Sequence, residues 1–134
     1  MDLSQINYLA VFVAGISGFA IGAVWYSPLL FSKIWARECG LSEEKLKSAN
    51  MFQIFGTTFI LLMIQSFNLA AFLGTEQDIV WGMTAGALAG IGWVVTSIGI
   101  LFLFERRSFK LFLIDAGYLS VVFIVMGAIL GAWK

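Results

Sequence analysis

Apolar residues along this chain fall into four long, nearly unbroken stretches, at about 6–27, 51–73, 79–104 and 109–133. Wound as α-helices at about 1.5 Å per residue, each covers a hydrocarbon core of about 30 Å. Apart from Lys110 at the edge of the last, the only formal charge within them is Asp115. Helices are the expected form, because each backbone donor in lipid must be satisfied within its own segment. A β-barrel would instead show alternating strands of about ten residues, which are absent. The pattern predicts an all-α fold, a membrane-embedded four-helix bundle in one domain.

The connections differ in kind. Residues 74–78 form a tight acidic turn and 105–108 a tight, mostly basic one. Turns this short are expected to make spans two and three, and spans three and four, antiparallel neighbours. Residues 28–50 form a much longer connection. Pro28 stops the first span, since its ring cannot continue the hydrogen-bond ladder. After it Leu30, Phe31, Ile34 and Trp35 recur at helical spacing, with Lys33 and Arg37 among them. This reads as a short amphipathic helix lying in the interface between spans one and two, with an irregular loop as the alternative. Ser42 followed by Glu43 and Glu44 marks another helix start, leading through Leu46 into span two.

Composition sharpens this reading. Hydrophobic residues make up 60% of the 134, and 12% are charged. A soluble domain carries roughly 45–50% apolar residues, so the bilayer is the natural solvent. Eight basic and eight acidic residues cancel, which argues against a nucleic-acid partner. There is no histidine and one cysteine, Cys39. An internal disulfide and a Cys/His zinc site are therefore excluded, and no metal or other cofactor is expected. Triads that need an imidazole base are excluded too. Asp115, Glu105 and Tyr118 are all that remains for a membrane enzyme, so the reading leans away from catalysis. Cys39 is expected to pack at an interface rather than react.

Charge also predicts orientation. Lys33, Arg37, Lys45, Lys47, Arg106, Arg107 and Lys110 lie in or beside loops 28–50 and 105–108. The opposite side holds Lys134, with Asp2, Glu76 and Asp78. Cytoplasmic loops are the ones enriched in Lys and Arg. Loops 28–50 and 105–108 are thus expected to be cytoplasmic, and both termini non-cytoplasmic, in a multi-pass protein of the cell membrane. A bias of this size argues against dual topology. No Lys or Arg precedes Lys33, so the first stretch lacks the basic start of a secretory signal and is expected to be a retained span.

Two runs carry a resemblance. Gly22-Ala23-Val24-Trp25-Tyr26-Ser27-Pro28-Leu29-Leu30-Phe31, followed by Trp35, is the first. The second runs from Leu103 through Glu105, Arg106, Arg107, Ser108 and Asp115 to Tyr118. With Gly127-Ala128-Ile129-Leu130-Gly131 near the end, they resemble a bacterial membrane-protein family of unknown role, domain of unknown function 1761. The resemblance spans nearly the whole chain. It implies a small four-helix protein of the bacterial inner membrane and no particular activity. Small multidrug transporters share the length and helix number, but their intramembrane glutamate in helix one has no counterpart here.

Small residues offer packing faces. Gly82, Gly86 and Gly90 follow one another at four-residue spacing, as do Gly18 and Gly22, and Gly127 and Gly131. Such faces let membrane helices approach closely, either inside a bundle or between subunits. A homo-oligomer is expected, most simply a two-fold dimer, with span three as its first candidate interface.

Polar residues inside the spans are the candidate site. Asp115 sits roughly 9 Å inside the boundary at Phe109. Thr57, Thr58, Thr96 and Ser97 fall at the same depth, with Tyr26, Gln53 and Glu105 nearer the edge and Tyr118 on the Asp115 face. A charge this deep costs about 2.5–3.5 kcal/mol on insertion scales, so it marks either a functional group or a hydrogen-bonded packing carboxyl. Gln65, Ser66 and Asn68 form a second group, expected to bond between helices. Trp25, Trp35, Trp81 and Trp133 read as interfacial anchors, and Trp93 as a packing residue. Arg106, Arg107 and Lys110 are expected to face anionic lipid headgroups. These features suit an oligomeric transporter or channel for a small solute or ion. The alternative is an accessory protein that binds a partner or lipid through its glycine faces, without transport.

Overall fold

The computed structural model describes residues 3–74 and 78–133; Asp2, Glu76 and Lys134, counted above for charge, lie outside the described residues. Among the described residues seven α-helices occur in the order α1 (Tyr8–Trp25), α2 (Ser32–Cys39), α3 (Glu43–Ser48), α4 (Met51–Leu73), α5 (Ile79–Ala89), α6 (Thr96–Glu105) and α7 (Phe109–Ala132). A six-residue π-helical segment, Gly90–Val95, joins α5 to α6 in one continuous span. The four spans α1, α4, α5–α6 and α7 are each long and apolar enough to cross a membrane. The connection at 28–50 is helical in two short pieces rather than an irregular loop.

Five of these helices start where a small polar side chain takes one of the first free N–H groups. Asn7 accepts from Ala10 N, Ser42 from Lys45 N and Asn50 from Gln53 N. Asp78 accepts from Trp81 N at 2.7 Å, and Ser108 from Leu111 N at 3.1 Å. Each such cap contributes about 1 kcal/mol where it is measured in soluble hosts. Gly40, with φ 71°, ends α2, and Arg106 ends α6 in the same left-handed region at φ 58°.

Packing is built around α7, which meets α5 on one side and α1 on the other. The α5–α7 seam is a backbone contact. A Cβ on Gly82 would collide with the Gly127 carbonyl oxygen, one on Gly86 with that of Phe123, and one on Gly131 with that of Asp78. Dispersion between closely approaching backbones holds such a pair in lipid, where no hydrophobic drive exists between helices. The glycine face of span three is therefore occupied within the chain. This corrects its expected use as the subunit interface.

A second correction concerns α4. It lies along α1 and approaches span three chiefly through α5, near the turn that joins them. There Trp81 Nε1 donates to Leu73 O at 3.2 Å. A short turn fixes only the two helix ends it connects. Along its length α4 finds better partners on α1. Leu62 and Met63 fill the space above Gly18 and Gly15. Phe19–Phe55, Phe12–Phe59 and Tyr8–Phe67 form ring pairs 5.7–6.3 Å apart. Buried Ser66 donates to Val11 O at 2.8 Å, whereas exposed Asn68 bonds Ile64 O in its own helix. Buried positions on α1, α4 and α5 cluster toward the Asp78 end, and none occurs in 51–61 or 91–105. The bundle is closed at that acidic end and splayed between α4 and α6 at the basic end.

Candidate functional site

At the basic end α1 and α7 carry the polar side chains that meet. Gly22 leaves a shallow bay on α1, and Tyr118 of α7 fills it, while Gly18 one turn back faces Leu62 and Val122. The Tyr118 hydroxyl donates to Gly18 O at 3.1 Å, and a Cβ on Gly22 would lie 3.1 Å from its Oη. One turn further, Trp25 Nε1 donates to Ile114 O at 3.0 Å. Gly117 makes room for that indole, since a Cβ there would lie 2.9 Å from Trp25 Cζ2. Tyr26 completes the set, its hydroxyl donating to Asp115 Oδ1 at 2.7 Å.

Aromatic rings close over this pair. Trp35 of α2 and Tyr118 both set their rings edge-on to Tyr26, at 5.7 and 5.3 Å between centroids, while Phe31 packs on Trp25 at 5.1 Å. The helix after Pro28 packs against α7. Asp115 is half-buried. Cys39 stands at the end of α2 and is half-covered. Burial pushes the Cys39 thiol up from its ordinary pKa, the Asp115 charge adds to this, and Arg107 opposes it.

Of the side chains expected at this level, Asp115, Tyr26 and Tyr118 come together. Thr57, Gln53, Ser97 and Glu105 do not. Thr57 and Gln53 are exposed on the basic half of α4. Thr58 bonds Ile54 O, and Ser97 bonds Trp93 O at 2.6 Å, each in its own helix. Glu105 pairs with Arg107 Nε at 2.7 Å on the surface, where such pairs contribute about 1 kcal/mol or less. Equal depth does not give equal azimuth, and a hydroxyl on a helix can satisfy itself one turn back. Trp25 and Trp35, expected only as anchors, belong to the site, as does Gly117. The signal for them was available: Gly18, Gly22 and Tyr26 form a four-residue stripe, facing Ile114, Gly117 and Tyr118 at helical spacing. Trp93, expected as a packing residue, sets its ring edge-on to Phe72 while staying 66% exposed.

Among the described residues no three Cys, Asp or Glu side chains converge on a point. The local chemistry is one carboxylate, two phenols and two indoles. A half-buried carboxylate rimmed by aromatic rings suits a proton or a small cation. The same bonds also tie α1 to α7 in three places.

The family described as "Protein of unknown function (DUF1761)" matches residues 9–131. No curated protein and no solved structure matches the chain.

Proposed function

The chain belongs to that family, whose description assigns no activity, and from its residues we propose an oligomeric transporter or channel for a small cation, with Asp115 as the charged site. One observation carries this reading. Asp115, the one formal charge set within the described spans rather than at their edges, is half-buried and bonded to a single described side-chain partner, Tyr26, at the open end of the bundle. An intramembrane carboxyl in this setting is a candidate for proton or cation binding. The basic end faces the cytoplasm, on the Lys and Arg bias of its loops. Two or more copies meet through the uncovered faces of α4 and α6, which carry Thr57 and Ser97.

Reconstitution into liposomes tests the reading, using a pH-sensitive dye and a potassium gradient. Flux above empty vesicles, lost in Asp115→Asn while the helical content is kept, is the expected result. Protein that inserts correctly but leaves both gradients intact sinks it. Orientation is tested in a Cys39→Ser background by labelling Glu43→Cys and Ser4→Cys from either side, with Ser4→Cys expected to react from outside. Mass in nanodiscs tests the oligomer, and a strict monomer defeats it. A second reading is favoured by the three α1–α7 hydrogen bonds: Asp115 as a packing carboxyl in an accessory protein without transport. There Asp115→Asn is nearly silent in every assay.

A further inference from the structure

Span three changes the face it shows to α7 partway along, and the change coincides with the π segment. In an unbroken α-helix the inner stripe of Gly82, Gly86 and Gly90 continues at 93, 97, 100 or 101, and 104. Those positions are the exposed ones: Trp93, Ser97, Ile100, Leu101 and Phe104. The half-covered residues are instead Val94, Ile98 and Phe102, with Val95 and Gly99 beside them. The stripe has stepped forward by one residue. A π segment inserts one extra residue into an α-helix, so it produces this step and no other is needed.

The two sides of the step are held very differently. α5 is pressed to the α7 backbone at Gly82 and Gly86. No residue from Ile91 to Glu105 is buried, and α6 meets α7 through side-chain ends, Gly99 and Phe102 against the Phe112 ring. Between them Gly92 has open space around its Cβ position, so packing does not require glycine there. What glycine supplies is backbone freedom. At the junction Thr96 N–H bonds Trp93 O, three residues back. Thr96 Oγ1 reaches Gly92 O at 2.8 Å and Trp93 O at 3.0 Å, and Ser97 Oγ reaches Trp93 O at 2.6 Å. These hydroxyls supplement backbone bonding where the ladder changes pitch.

We infer that the Gly90–Val95 segment is a register joint. α6 turns about its own axis by one residue step, exchanging Trp93 and Ser97 for Val94 and Ile98 at the α7 face, while α5 stays fixed. The extra residue is not lost; the wide turn migrates along α6 toward the 105–108 turn. Thr96 and Ser97 hold the present register, because their hydroxyls bond the carbonyls at the junction. This inference does not depend on the transport reading or on Asp115.

The test is a distance measurement between spin labels at Val80→Cys on α5 and Leu101→Cys on α6, in a Cys39→Ser background in nanodiscs. Turning a helix of roughly 10 Å diameter by one residue, about 100°, moves the α6 label by roughly 8 Å. The full chain is compared with a Thr96→Val/Ser97→Ala variant, which removes the hydroxyls while keeping size. A second distance population in the full chain, or its appearance in the variant, supports the joint. A single population, unmoved by the double substitution, overturns it, and retained helicity shows that both proteins are folded.

Discussion

Adding one methyl group at Gly86 tests the packing that organises the molecule. The new Cβ would sit 2.9 Å from the Phe123 carbonyl carbon and closer still to its oxygen, with Ile124 Cα at 3.3 Å. These are backbone atoms of a continuous helix and cannot rotate away. Restoring an ordinary C···O contact of about 3.3 Å requires the two helices to part by about 1 Å. That gap also loosens the seam at Gly82, Gly127 and Gly131, where a separation of about 0.5–1 Å forfeits roughly a quarter to a half of each contact's attraction. Overpacking of this kind costs about 1–3 kcal/mol. Alanine is favoured over glycine inside a helix by about 1 kcal/mol in soluble hosts, which offsets part of the loss. Gly56→Ala is the control, because nothing lies within 4 Å of its Cβ position. Gly86→Ala is expected to be less stable than Gly56→Ala by about 2 kcal/mol. Gly22→Ala should fall between them, since it meets only the edge of the Tyr118 ring. Unfolding in mixed micelles, followed by steric trapping, gives the ranking. If Gly86→Ala equals or exceeds Gly56→Ala, the backbone seam is not where it has been described.

Other perturbations read the remaining contacts. Asp115→Leu leaves the Tyr26 hydroxyl without its acceptor and should cost about 1–3 kcal/mol, with Asp115→Asn milder. A double-mutant cycle of Asp115→Asn with Tyr26→Phe should show coupling above about 0.5 kcal/mol, and zero coupling means the bond does not form. Ser66→Ala removes the bond to Val11 O and should cost about 0.6–1 kcal/mol, the range for interhelical bonds in membranes; no change in steric trapping would contradict its burial. Burial raises the Cys39 thiol, so less thiolate forms at a given pH. Its maleimide reaction should reach half-maximal rate above the ordinary thiol value of about 8.5. Asp115→Asn should move that midpoint down, because a charge that disfavours the thiolate is gone. A midpoint at or below the ordinary value, or one indifferent to Asp115, rejects the influence of burial and of Asp115 on this thiol.

The helices themselves were legible in the chain because lipid imposes a local rule. Each span must satisfy its own backbone, so an apolar run of sufficient length specifies a helix with little help from its neighbours. Their starts were legible too, in part: Ser42 announced α3 by the acids that follow it, and Asn7, Asn50, Asp78 and Ser108 act by the same chemistry. The glycines also declared close packing. Which helix they would meet was not declared, because a small face is complementary to any other small face. Only the assembled bundle gives Gly82 and Gly86 to α7 and leaves α4 to α1.

The site divides along the same line. Depth along each span can be counted from sequence, and it put Asp115, Thr57, Thr58 and Ser97 at one level. Direction around each helix cannot be counted unless the helix is regular. On α4 the basic half stands away from α7, so Thr57 faces outward. On span three one extra residue at the π segment turns Ser97 to the exposed side and Ile98 toward α7. Asp115 is paired by Tyr26 because the bay at Gly22 brings α1 against α7 just where both side chains project. Sequence by itself determined the spans, because their solvent is apolar and their hydrogen bonds are local. Tertiary structure decided the partners, because azimuth and register depend on how rods of nearly uniform hydrophobicity fit side by side.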